Sequence, residues 1–320
     1  MKSRFSAIVL ALGMGLVCYG ASAQNITSDV TVTQQGNGNT AYAEQSAVTT
    51  ANTGAQLTIT QIGDNNHVGG PGGNSSGVIQ RNTPIGPLVA EVLQTGRGNN
   101  AGLIQDNNGN AALAASARIT QTGIGNDATF RQFTTSYAEA VVEQSGDGNV
   151  ARIEQTFSGD SSLRSVQNGT GNQVTISQSG ATYGGPNVIQ DGDGNTASVV
   201  TVGAIGGGPS IVQIGSLNSA TVVQNINGFD SGTAIRQQGM ANQADTNLTG
   251  EGQRTDITQT GNGNLASVNQ TGVPASLLGN FTVIAQLGKS NTAIVRQAGA
   301  GYNANVSQAG SSNYTNIYQH

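Results

Sequence analysis

One six-residue pattern, Gln-x-Gly-x-x-Asn, recurs twelve times along this 320-residue chain and restricts the folds open to it. The copies begin at Gln34, Gln61, Gln94, Gln121, Gln144, Gln167, Gln190, Gln213, Gln237, Gln259, Gln286 and Gln308, spaced 22 to 33 residues and most often 23. The third position is always glycine: Gly36, Gly63, Gly96, Gly123, Gly146, Gly169, Gly192, Gly215, Gly239, Gly261, Gly288 and Gly310. The sixth is always asparagine: Asn39, Asn66, Asn99, Asn126, Asn149, Asn172, Asn195, Asn218, Asn242, Asn264, Asn291 and Asn313. A further glutamine follows eleven residues after the first in nine copies, at Gln45, Gln105, Gln132, Gln155, Gln178, Gln224, Gln270, Gln297 and Gln319. The exceptions are Gly72, Thr201 and Leu248. A repeat of this length signals stacked units, none of which covers its own core.

Alternation of period two on both sides of the glycine marks a strand before it and a strand after it. Two residues before the leading glutamine stand Val32, Ile59, Val92, Ile119, Val142, Val188, Ile211, Ile235, Ile257, Ile284 and Val306, with Ser165 the one break. Residues two apart share a strand face, so the leading glutamine points the same way as this aliphatic row. After the turn, the asparagine shares a face with the residues two and four further on. The latter is Leu103, Phe130, Ile153, Ile176, Val199, Val222, Val268, Val295 or Ile317 in nine copies. The expected fold is therefore all-β: a β-solenoid of about twelve two-strand rungs in two stacked parallel sheets, turned through glycines that accept positive φ. Inward amides need partners, because a buried unpaired amide costs about 1–3 kcal/mol. In-register stacking supplies them: each glutamine or asparagine meets its equivalent one rung away, about 4.8 Å off. All of the glutamines and asparagines named above are candidates for this amide ladder, and the twelve glycines for its turns.

Five copies carry the fuller form Gln-x-Gly-x-Gly-Asn-x-Ala-x-x-x-Gln, those at Gln34, Gln94, Gln121, Gln144 and Gln259. This motif resembles the curlin repeat of curli fibre subunits, and the resemblance covers the chain almost from Gln24 to its end. It implies a protein exported through the periplasm and a dedicated outer-membrane secretion channel. On the cell surface such a protein polymerises with itself into amyloid fibres of the biofilm matrix, beside a nucleator or major subunit. The chain departs from the family in two respects. Only Gln24 to Thr27 precede the first repeat, and the repeats are about twice as numerous.

Residues 1–23 read as an export signal. Lys2 and Arg4 precede an apolar run from Ala7 to Val17, and Ala21-Ser22-Ala23 is a small-residue cleavage site. Removing Lys2 and Arg4 leaves ten basic residues against seventeen acidic ones, a formal charge of −7. That balance argues against nucleic acid or anionic lipid as a partner, and no later stretch has the apolar length of a membrane span. The single cysteine, Cys18, lies in the signal, so no disulfide is expected in residues 24–320. Those residues read as one repeat array with insertions at its corners, near 69–81, 107–116, 157–162, 203–209, 225–232 and 271–280.

His67 and His320 are the only histidines, and neither has a sequence-nominated catalytic partner. Asp191-Gly-Asp193-Gly-Asn195 starts like a calcium loop, but Thr196 and Val202 stand where such a loop needs glycine and glutamate. No enzyme, cofactor or metal is expected. Asp64, Arg97, Asp147, Asp191, Asp193 and Lys289 are read as solvated turn residues, with tempering of aggregation as an additional role. Two functions remain open: a fibre-forming structural subunit, and a capped, monomeric β-solenoid adhesin at the cell surface.

Overall fold

The computed structural model describes residues 17–18, 29–46, 55–69, 77–81, 88–106, 114–133, 135, 137–229, 231–272 and 278–320. The export-signal reading lies outside them except for Val17–Cys18, a two-residue strand paired with Tyr42 and Ala43. The prolines at 84 and 87 and most of the insertions at 69–81 and 107–116 also lie outside. Among the described residues there is no helix, and every strand pairing is parallel. The chain falls into two compact units, Met1–Leu163 and Arg164–His320.

The first unit is a β-solenoid of five rungs. Its leading sheet, made of the strands that enter the glycine turns, runs through Asp29–Gln35, Gln56–Asp64, Leu88–Arg97, Ala115–Ile124 and Glu139–Asp147. Its trailing sheet runs through Thr40–Ser46, the pair His67–Val68 and Val78–Arg81, Asn100–Asp106, Asp127–Phe133 and Val150–Thr156. The register sets like on like: Gln94 is opposite Gln121 and Gly96 opposite Gly123 in one sheet, and Gln105 opposite Gln132 in the other.

The second unit repeats this plan over seven rungs. Its leading strands are Ser162–Thr170 (within the unit from Arg164), Asn187–Asp193, Ser210–Ser216, Gly232–Met240, Arg254–Asn262, Phe281–Lys289 and Asn303–Ser311. Its trailing strands are Gln173–Ser179, Thr196–Ile205, Ser219–Phe229, Gln243–Thr249, Leu265–Thr271, Thr292–Ala298 and Tyr314–Gln319. One register shift, between Val202 and Ala204, interrupts the pairing of Thr196–Ile205 with Ser219–Phe229.

Burial follows the period of two. Leu88–Arg97 alternates buried and half-buried positions along most of its length. The whole aliphatic row two residues before the leading glutamine is buried, from Val32 to Val306. Facing it across each unit are Ala101, Leu103, Ala128 and Phe130 in the first, and Ala197, Val199, Ala220 and Val222 in the second. Alanine beside the asparagines keeps this seam thin. The backbone of each strand finds its hydrogen bonds in the rungs before and after, which is why a chain so rich in polar side chains folds around so little apolar volume.

The turns place positive φ at two motif positions. The third, always glycine, has φ between 105° at Gly146 and 125° at Gly288. A Cβ on Gly123 would lie 2.1 Å from the carbonyl oxygen of Gly146, so side chain and backbone exclude each other here. The fifth position is also left-handed in every rung. Glycine supplies it in seven, whereas Asn65, Leu217, Ala241, Ser290 and Ser312 adopt it at φ 54–57°.

Candidate functional site

Three rows of buried amides run through each unit, and within any one row the hydrogen bonds point the same way. In the leading row Nε2 of each glutamine donates to Oε1 of the next. In the first unit Gln34, Gln61, Gln94 and Gln121 do so over 2.6 to 2.8 Å, ending on Gln144. In the second, Gln167, Gln190, Gln213, Gln237, Gln259 and Gln286 do so over 2.8 to 3.1 Å, ending on Gln308. The other Nε2 hydrogen crosses to the trailing sheet of the previous rung: Gln121 reaches the Asn100 carbonyl at 2.9 Å, and Gln213 the Thr196 carbonyl at 3.0 Å. The leading glutamines therefore tie the two sheets of a unit together as well as linking successive rungs.

The asparagine row runs with opposite polarity. Backbone N–H and Nδ2 of each asparagine both donate to Oδ1 of the one before it, as Asn126 does to Asn99 at 3.1 Å. Asn66, Asn99 and Asn149 in the first unit bond likewise to their predecessors. So do Asn195, Asn218, Asn242, Asn264, Asn291 and Asn313 in the second. Nδ2 also reaches forward to the next turn, as Asn126 does to the Gly146 carbonyl at 2.7 Å and Asn172 to the Gly192 carbonyl at 2.6 Å. Asn39 makes the same contact to Gly63. The glycine carbonyl that excludes a Cβ on the preceding turn is thus also the acceptor for the preceding asparagine.

The trailing glutamine row is continuous in the first unit, and the structure corrects one of its members. Gly72 is the residue eleven places after Gln61, yet the place is filled by Gln80, which accepts from Gln45 at 2.7 Å and donates to Gln105 at 3.0 Å. The trailing strand of that rung is split, and the insertion between His67–Val68 and Val78–Arg81 moves its second half eight residues along the sequence. The signal was present: Val78-Ile79-Gln80 copies the apolar-x-Gln of Leu103-Ile104-Gln105, and the register pairs them residue for residue. Gln105 and Gln132 carry the row on to Gln155.

In the second unit the trailing row is interrupted where glutamine is absent. Gln178 donates to the Gly184 carbonyl. Thr201 Oγ1 and the facing Gln224 Oε1 are both buried with no hydrogen-bond partner. Around Leu248, hydroxyls from the leading sheet fill in. Gln224 Nε2 donates to Thr233 Oγ1 at 3.1 Å, and Thr255 Oγ1 donates to Gln270 Oε1 at 3.1 Å. Beyond it the row resumes through Gln270, Gln297 and Gln319 at 2.7 Å. Nothing in the repeat spacing singles out Thr233 or Thr255, because their roles depend on a gap in the other sheet.

The turn carboxylates Asp64, Asp147 and Asp193 do more than face solvent. Each accepts the turn N–H of the rung before it, from Asn37 at 2.8 Å, Ile124 at 3.0 Å and Thr170 at 3.0 Å. Asn262 does the same for Met240. Reading them as merely solvated missed a charge-assisted bond between neighbouring turns. His67 Nδ1 lies 2.7 Å from Thr40 Oγ1. Among the described residues no group of three or more His, Cys, Asp or Glu side chains is placed to hold a metal ion, and no helix is long and apolar enough to cross a membrane.

The first rung of the first unit and the last rung of the second leave parts of these rows open. Gln34 Oε1 and Asn313 Oδ1 accept no hydrogen bond from any described residue. No protein-family model matches this chain, and no curated protein matches it.

Proposed function

We propose that this chain is a structural subunit of extracellular curli-type amyloid fibres, secreted and assembled by adding one copy to the end of another. The observation that carries this reading is the complementarity of the first and last rungs. The first offers an amide oxygen, Gln34 Oε1, and the asparagine N–H groups of Asn39. The last offers the amide nitrogen of Gln319 and Asn313 Oδ1, while Gln308 Nε2 is held on the Thr315 hydroxyl within its own rung. A second copy placed against the last rung would set Gln308 against Gln34, Asn313 against Asn39 and Gln319 against Gln45, in the register used inside each unit. Two identical faces would set donor against donor or acceptor against acceptor. Addition is therefore head to tail, and each open edge is a template for another strand. Cleavage after Ala23, as the sequence leads us to expect, would remove the Val17–Cys18 strand from the edge at Tyr42 and Ala43.

The test is to release residues 24–320 from denaturant and follow thioflavin fluorescence, then record fibre diffraction. Fibres with a meridional spacing of about 4.8 Å are the expected result. Protein that stays monomeric overturns the reading in favour of a monomeric surface adhesin of the same fold.

A further inference from the structure

The last rung differs from all the others at one inward position. Two residues after the motif asparagine stands alanine in nine rungs and valine in two, but threonine, Thr315, in the twelfth. Thr315 lies opposite Ala293 in the register, so its side chain occupies the place of that buried methyl group. Its hydroxyl takes a hydrogen bond from Gln308 Nε2 at 3.1 Å, while the other Nε2 hydrogen goes to the Thr292 carbonyl at 2.9 Å. In the preceding rung Gln286 uses its two hydrogens on the Leu265 carbonyl and on Gln308 Oε1. Thr315 Oγ1 thus receives the one hydrogen that a leading glutamine otherwise hands to the next rung.

We propose that the Thr315 hydroxyl is a displaceable substitute for the next rung: it holds the Gln308 amide in a free copy and opposes docking of a second copy on that face. The proposal rests on the fibre reading above. Docking transfers the Gln308 hydrogen to Gln34 Oε1 of the incoming copy, so no hydrogen bond is gained there. In the same step the Thr315 hydroxyl is carried against Ala41 of that copy, a methyl group that offers no partner. A buried hydroxyl left unpaired opposes the contact. With alanine at 315, the Gln308 amide of the free rung would wait in water and the junction would match the interior.

The experiment compares the chain of residues 24–320 with its T315A, T315V and T315S variants, and with S307A, which removes an exposed hydroxyl from the same rung. The readout is the concentration of soluble protein left when assembly has stopped. T315A and T315V are expected to lower it at least fivefold, T315S to restore the parent's value, and S307A to leave it unchanged. Fibres from every variant with the same residual concentration would overturn the role of Thr315 and leave the fibre reading standing. A set of proteins that all remain monomeric would overturn both.

Discussion

Leu217 shows what the turn demands of a single residue. It occupies the fifth motif position at φ 57°, where an L-residue other than glycine is disfavoured by about 1–2 kcal/mol. Its side chain is 62% exposed and so recovers little by packing. Replacing it with glycine removes the strain at the cost of a more flexible unfolded chain, worth about 0.5–1 kcal/mol. Leu217→Gly should therefore stabilise the second unit by up to about 1 kcal/mol, read as a higher urea midpoint; a lower midpoint would show that the leucine side chain contributes more than its exposure implies. Asn65 at the same position tolerates the left-handed region better. The contrast separates two kinds of turn glycine. Third-position glycines such as Gly123 are required because a neighbouring backbone fills the space of a Cβ; fifth-position glycines such as Gly98, Gly125, Gly148 and Gly171 have open space there and are required only by φ.

At the scale of a strand, the trailing row shows that one missing glutamine matters according to what surrounds it. Leu248 is bypassed by Thr233 and Thr255, whereas Thr201 leaves its own hydroxyl and Gln224 Oε1 without partners. The register places Thr201 between Gln178 and Gln224, the spacing that two glutamines bridge elsewhere. Thr201→Gln should therefore supply a donor to Gln224 Oε1 and stabilise the second unit by about 1 kcal/mol, measurable as slower amide exchange across Thr196–Ile205 and Ser219–Phe229. Faster exchange there would mean that the site lacks room for the longer side chain. Leu248→Gln should gain less, since hydroxyls around it already satisfy the two amide atoms that a glutamine there would meet, Gln224 Nε2 and Gln270 Oε1.

For the molecule as a whole, the rungs inside each unit and the rung that ends the second obey different constraints at the same motif glycine. A Cβ on Gly123 would meet the Gly146 carbonyl oxygen, whereas a Cβ on Gly310 has no neighbour closer than 3.7 Å. Gly123→Ala should prevent the first unit from folding. Gly310→Ala has only its φ of 105° to contend with and should fold with slight fraying of the last rung. If copies add head to tail, however, that Cβ would meet the Gly36 carbonyl of the next copy. Folded Gly310→Ala protein should then fail to elongate fibres seeded by the parent. Elongation at the parent's rate would rule out the in-register junction. This variant and T315A act on one face in opposite directions, one obstructing the contact and the other favouring it.

Much of the fold is written in the period of the sequence. Alternation names the buried face, the invariant glycine locates each turn, and the common spacing puts like residues in register, so the two-sheet solenoid and its amide rows follow from a pattern of residue types. The partners within those rows do not. Gln80 replaces Gly72 because an insertion leaves the backbone path intact while shifting the numbering. Thr233 and Thr255 serve a gap that lies in the other sheet. Asp64, Asp147 and Asp193 reach the turn before their own, and Thr315 takes a hydrogen otherwise passed to a following rung. Periodicity depends only on residue type and separation along the chain, whereas a hydrogen bond depends on which two atoms the finished fold brings within about 3 Å. The first is legible one residue at a time; the second exists only once the rungs have closed on one another.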